Sequence, residues 1–224
     1  VREAEWLACT DLMRMEDFLR GRDCERKVRL FACASARRVW GKLTDQRGRT
    51  AVEVAERYAD GLATPQELGS ATRAAILAAN ESGSRGYVAA SYYVFCAVES
   101  VPDAPVCHLF KHNVKVFGLL YSLANVLSRA EEKARARLLR DIFNPFHAQA
   151  VPPSALTPDA LALAQAAYDE RELPSGHIDA TRLAVLADAL EEAGCDQADL
   201  LGHLRRPGPH VRGCWVVDLL LGKE

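Results

Sequence analysis

The sequence predicts an all-α protein, a multi-helix bundle of about nine to eleven helices. Three observations carry that expectation. Ala and Leu dominate the chain, and β-branched residues are scattered through it. No run alternates apolar and polar residues in the manner of a half-buried strand, whereas several segments place apolar residues at i, i+3, i+4 and i+7. Helix start and stop signals recur at regular intervals, with Thr-Pro starts at Thr64-Pro65 and Thr157-Pro158.

The elements follow in order. Residues 3–9 read as a short helix or turn anchored by Trp6. Thr10 and Asp11 can cap a short helix carrying Met13, Phe18 and Leu19. Asp23 is placed to cap a long helix in which Val28, Phe31, Ala32, Val39 and Trp40 form one stripe. Residues 50–59 make the next helix, with Gly61 as its stop. Thr64-Pro65-Gln66-Glu67 combines a cap, a proline at the first helical position and the Glu of a capping box. Residues 87–98 are apolar on most sides and read as a buried helix, with a strand as the alternative. A long helical region is expected over 106–143, closed by Asn144-Pro145-Phe146. Val151-Pro152-Pro153-Ser154 is the best linker, which divides the chain into a larger bundle at 1–150 and a smaller helical unit at 155–224. Thr157 and Asp179 start the next two helices, and Leu183, Leu186, Ala187 and Leu190 line one face of the second. A short helix then ends at Arg205-Arg206, Pro207-Gly208-Pro209 turns the chain, and an apolar helix closes it.

Composition narrows the functional classes. The hydrophobic fraction of 49% suits a sizeable core, and a net charge of -2 argues against a polyanion-coating protein. The charge is uneven: residues 1–50 hold 12 Lys+Arg against 8 Asp+Glu, while residues 151–200 hold 2 against 10. No apolar stretch reaches the length of a membrane span, no signal peptide is visible, and the chain opens on Val1. Seven Cys, an odd number without a short-range framework, predict a reduced, cytoplasmic setting in which most are small core residues.

Several segments carry a family resemblance: EAEWLACTD, RKVRLFACASARRVW, AVEVAERYADG, LLRDIFNPF, LADALEEAGC and HLRRPGPHVRGCWVVDLLLGK. Together they resemble a large multi-copy family of uncharacterised planctomycete bacterial proteins, and the closing PGPHVRGCW block is the most specific part. The resemblance implies a cytosolic bacterial protein and assigns no activity. Where relatives often show ACACCRR, this chain has Ala32-Cys33-Ala34-Ser35-Ala36-Arg37-Arg38, and it lacks a glycine before Asn144.

Four constellations could carry chemistry. His108 and His112 are four apart and share a helix face, as metal ligands would, but Leu109 stands where a zinc protease needs its Glu base. Cys195, His203, His210 and Cys214 form a Cys-x7-His-x6-His-x3-Cys series whose residue types suit tetrahedral zinc. Arg205, Arg206, His210 and Arg212 surround the Pro-Gly-Pro turn and suit an anion or a partner, unless Arg212 pairs instead with Glu191 and Glu192. Arg20, Arg22, Arg26, Lys27, Arg29, Arg37 and Arg38 make a basic N-terminal face, although a pI of about 6.3 is low for a nucleic-acid binder. Nucleophile elbows, phosphate loops and dinucleotide fingerprints are absent.

The leading expectation is therefore a non-catalytic helical interaction module that recognises a protein partner or an anionic group through the Arg205–Arg212 loop or the basic N-terminal face. The alternatives are a metal-dependent enzyme or zinc-stabilised domain, and nucleic-acid binding through the basic face. No cofactor is expected beyond zinc on the second of these, and no membrane contact.

Overall fold

The computed structural model describes residues 2–19, 25–82, 129–147 and 150–223. Ten α-helices and no strand occur among them. The residues expected to form helices near 87–98 and 106–128, the cap at Asp23, and Arg20 and Arg22 lie outside the described residues.

The chain divides into two units, Val1–Leu139 and Arg140–Glu224. The first holds α1 (Glu3–Ala8), α2 (Leu12–Leu19), α3 (Glu25–Arg38), α4 (Gln46–Ala59), α5 (Pro65–Ser82) and most of α6 (Arg129–Ile142). Local chemistry sets the starts. Asp11 accepts from the Arg14 amide at the head of α2. Thr64 Oγ1 accepts from the Glu67 amide while Glu67 accepts from the Thr64 amide, the reciprocal capping box that the sequence predicts. The helix expected over 50–59 begins a turn earlier, because Asp45 Oδ1 accepts from the Arg47 amide at 2.8 Å.

Small residues bring α3, α4 and α5 together. Ala32, Cys33 and Ala36 of α3 are buried with Ala51, Val52 and Ala55 of α4 and with Leu68 and Ala75 of α5. Beside this core, Arg37 and Glu56 form a buried two-pronged ion pair at 2.6 and 2.8 Å. Two parallel charge-assisted bonds are what keeps such a pair tolerable away from water.

The second unit holds the last residues of α6 with α7 (Pro158–Asp169), α8 (Ala180–Glu192), α9 (Ala198–Arg205) and α10 (Trp215–Leu221). Thr157 caps α7 through the Ala160 amide, and Asp179 caps α8 through the Thr181 amide. The core joins Ala160, Ala164 and Ala167 to Leu183, Leu186 and Leu190, to Leu200 and Leu204, and to Val216, Val217 and Leu220. Each buried Leu or Val contributes roughly 1.5–3 kcal/mol. The division between units falls inside α6, ahead of the expected linker at 151–154. Val151 and Ala155 belong to the apolar core of the second unit, so this proline-rich stretch is packed rather than strung between bodies.

Candidate metal centre

Four elements of the second unit each present one side chain to a common point. Asp141 is the penultimate residue of α6. His203 lies three residues after Leu200 on the buried face of α9. His210 follows the Pro207-Gly208-Pro209 turn, and Cys214 immediately precedes α10. His210 and Cys214 lie outside the helices, although four residues apart. A loop joins them, closed by the Cys214 amide donating to the Val211 carbonyl at 2.9 Å. Gly208 makes the turn feasible, since a Cβ there would stand 3.0 Å from the His210 nitrogen.

Asp141, His203, His210 and Cys214 are all buried, and one ligand atom from each lies within 4.8 Å of the others. They form a group that could hold a metal ion. Asp141 Oδ1 is 2.7 Å from His210 Nδ1 and 3.1 Å from His203 Nε2. Its Oδ2 accepts from the Val211 amide at 2.9 Å. His203 Nε2 also lies 3.2 Å from Cys214 Sγ. Two outer contacts orient the rings: the Trp215 indole N–H donates to His203 Nδ1 at 2.9 Å, and His210 Nε2 meets the Arg206 carbonyl at 3.0 Å.

The electrostatics follow from burial and these bonds. Burial opposes ionisation of Asp141, but hydrogen bonds from His203 and His210 outweigh it and hold the carboxyl well below the usual carboxylate range. Burial pushes His203 below its ordinary value, against the pull of Asp141. Burial pushes the Cys214 thiol well up. Without a metal, the centre is an ionised aspartate held by N–H donors beside a neutral thiol.

The hydrogen count at His210 constrains the centre further. A backbone carbonyl can only accept, so His210 Nε2 carries a hydrogen toward Arg206. Its Nδ1 faces a carboxylate, which also only accepts. A cation must therefore sit between Nδ1 and Asp141, either a proton or a metal ion.

The structure brings together three of the four residues expected to bind zinc, namely His203, His210 and Cys214. Cys195 is the exception: it is buried in the apolar core of the second unit and is not in the group. Asp141 takes the fourth place. Its signal was a carboxylate on the apolar face of an amphipathic helix, three residues after Leu138 and next to Ile142, both fully buried. His108 and His112 lie outside the described residues.

Two arginines of the Arg205–Arg212 loop have partners within the second unit. Arg205 pairs with Asp188 at 2.7 Å and with Glu191, both on α8. Arg212 lies over the Tyr168 ring, 4.9 Å from its centroid. The basic N-terminal residues are likewise engaged within the first unit. Arg26 pairs with Asp60, Arg29 with Glu25, Arg37 with Glu56 and Arg38 with Glu131. Among the described residues, no helix is long and apolar enough to cross a membrane.

No family model, curated protein or solved structure matches the chain.

Proposed function

We propose that the chain is a non-catalytic helical module whose second unit binds one zinc ion through Asp141, His203, His210 and Cys214. The metal acts as a staple that ties the end of α6 to α9 and to the start of α10. The observation that carries this reading is the convergence of four buried donors, a ligand atom from each within 4.8 Å of the others, around the His210 Nδ1–Asp141 Oδ1 contact that needs a cation.

Donor chemistry supports zinc as that cation. One carboxylate, two imidazoles and one thiolate form the mixed O, N and S set that a borderline-soft tetrahedral ion prefers. An ionised Asp141 and an ionised Cys214 would neutralise its two charges, so the filled centre could be buried without net charge. The His210 Nε2–H on a backbone carbonyl is the outer contact that ligating imidazoles usually make. With four protein ligands, all buried, the ion would have no open position for a substrate, which favours a structural role over a catalytic one. Work on a partner protein then falls to the surface of the module.

One observation favours a second reading, a metal-free hydrogen-bonded lock. The Trp215 indole can only donate, so His203 Nδ1 must accept and the His203 proton sits on Nε2, toward Asp141. Zinc on Nε2 would move that proton to Nδ1 and turn the indole away.

Elemental mass spectrometry on untagged protein separates the two. One zinc per chain, lost in Cys214→Ser and in Asp141→Asn but retained in Cys195→Ser, is the expected result. A folded, metal-free protein that takes up no added zinc would leave the lock.

A further inference from the structure

We infer that Arg206 opposes metal loading, and that zinc must displace its guanidinium from beside Asp141 in order to bind. The inference rests on the zinc reading above and adds a residue that regulates loading.

Arg206 Nη2 lies 3.9 Å from Asp141 Oδ1. That is too long for a hydrogen bond and close enough for a strong charge interaction with a carboxylate shielded from water. The Arg206 side chain is 37% exposed, whereas the Asp141 side chain is 0% exposed. Its guanidinium therefore spans from the buried carboxylate to solvent, unlike the buried rings of His203 and His210. Its charge also reaches His203, where it adds to burial in disfavouring a second positive charge.

The backbone of Arg206 is placed independently of its side chain. Arg206 follows the last residue of α9, and its carbonyl faces His210 Nε2 at 3.0 Å. Replacing the side chain leaves that carbonyl where it is. The neighbouring Arg205 is a natural contrast, because Asp188 and Glu191 hold its guanidinium. A divalent ion beside Asp141 would repel a guanidinium 3.9 Å from the same carboxylate. A long, half-exposed side chain can swing into solvent to relieve this, at a cost in affinity. Arg206 thus adds a positive charge beside Asp141 in the empty state, over and above the proton at His210, and sets how readily zinc enters.

The test is a zinc titration of the full chain against a chromophoric chelator, with loading followed by stopped flow. Arg206→Gln should tighten zinc binding by about tenfold and speed loading. Arg206→Lys, which keeps the charge, should stay near wild type, and Arg205→Gln should change affinity by less than about twofold. Arg206→Met replaces the Gln variant should the latter not fold. Wild-type zinc binding with unchanged or weaker binding in the neutral variant would overturn the inference and leave the zinc reading standing. Zinc uptake by the neutral variant alone would support it. No uptake by either protein would remove both.

Discussion

The Trp215 indole N–H donates to His203 Nδ1 across 2.9 Å, with both side chains buried. This one bond decides which nitrogen of His203 carries its hydrogen. Zinc coordination by Nε2 reverses that assignment and leaves the indole facing an N–H. Stoichiometric zinc should therefore shift the Trp215 indole resonance in a 15N-correlated spectrum and change the tryptophan emission. Bound zinc with an unmoved Trp215 resonance would remove His203 from the ligand set.

The same bond has a cost when broken in the metal-free protein. Trp215→Phe keeps an aromatic ring in the core and leaves a buried His203 nitrogen without its donor. The expected destabilisation is about 1–3 kcal/mol, read from urea unfolding in the presence of a chelator. Because the variant also frees Nδ1 to carry the proton, zinc should recover more stability in it than in wild type. Equal gains in the two proteins would separate Trp215 from the metal.

In the first unit, stability rests partly on the Arg37–Glu56 pair. Glu56→Ala removes both carboxylate bonds from a buried guanidinium and should cost about 3–5 kcal/mol. The double change Arg37→Met with Glu56→Leu removes both charges and should cost much less. Chemical denaturation of the single and double variants measures the difference. Similar losses would mean that the pair matters through its packing alone.

Glu16 gives the first unit a pH dependence. Burial raises its carboxyl from an ordinary 4.5 to about 7, with Asp17 and Asp11 adding to the rise and Arg135 opposing it. The folded state thus keeps a proton that the unfolded chain gives up. Stability from this residue is full below pH 4.5 and is lost as pH rises to about 7. The loss is on the order of 3 kcal/mol. Glu16→Gln should flatten this part of the stability curve. A wild-type curve already flat across that window would contradict the assignment.

What the sequence made legible was local. Thr64 with Glu67, Thr157 with Ala160 and Asp179 with Thr181 cap helices through bonds spanning two or three residues, and each could be read from spacing alone. Asp45 was missed because Gly48, a poor helix former, sits in the first turn of the helix it caps. His203, His210 and Cys214 were recognisable as candidate ligands because they are close in sequence and chemically apt. Asp141 was not, since 69 residues separate it from His210 and only folding brings the end of α6 against that loop. Cys195 looked as suitable as Cys214, and residue type could not reveal that both thiols lie in the apolar core but only Cys214 also joins the two imidazoles. The arginines show a related limit. Glu56 for Arg37, Glu131 for Arg38 and Asp188 with Glu191 for Arg205 lie on other helices, and spacing alone could not pair them.

The most direct test of the zinc centre is X-ray absorption at the zinc edge, on full-length protein loaded with one equivalent. Coordination by Asp141, His203, His210 and Cys214 predicts one sulfur at about 2.3 Å and three nitrogen or oxygen neighbours at about 2.0–2.2 Å, with imidazole scattering from two rings. Cys214→Ser should remove the sulfur shell. A zinc bound only by nitrogen and oxygen in the wild-type protein would contradict the account, because the metal would then lie away from Cys214.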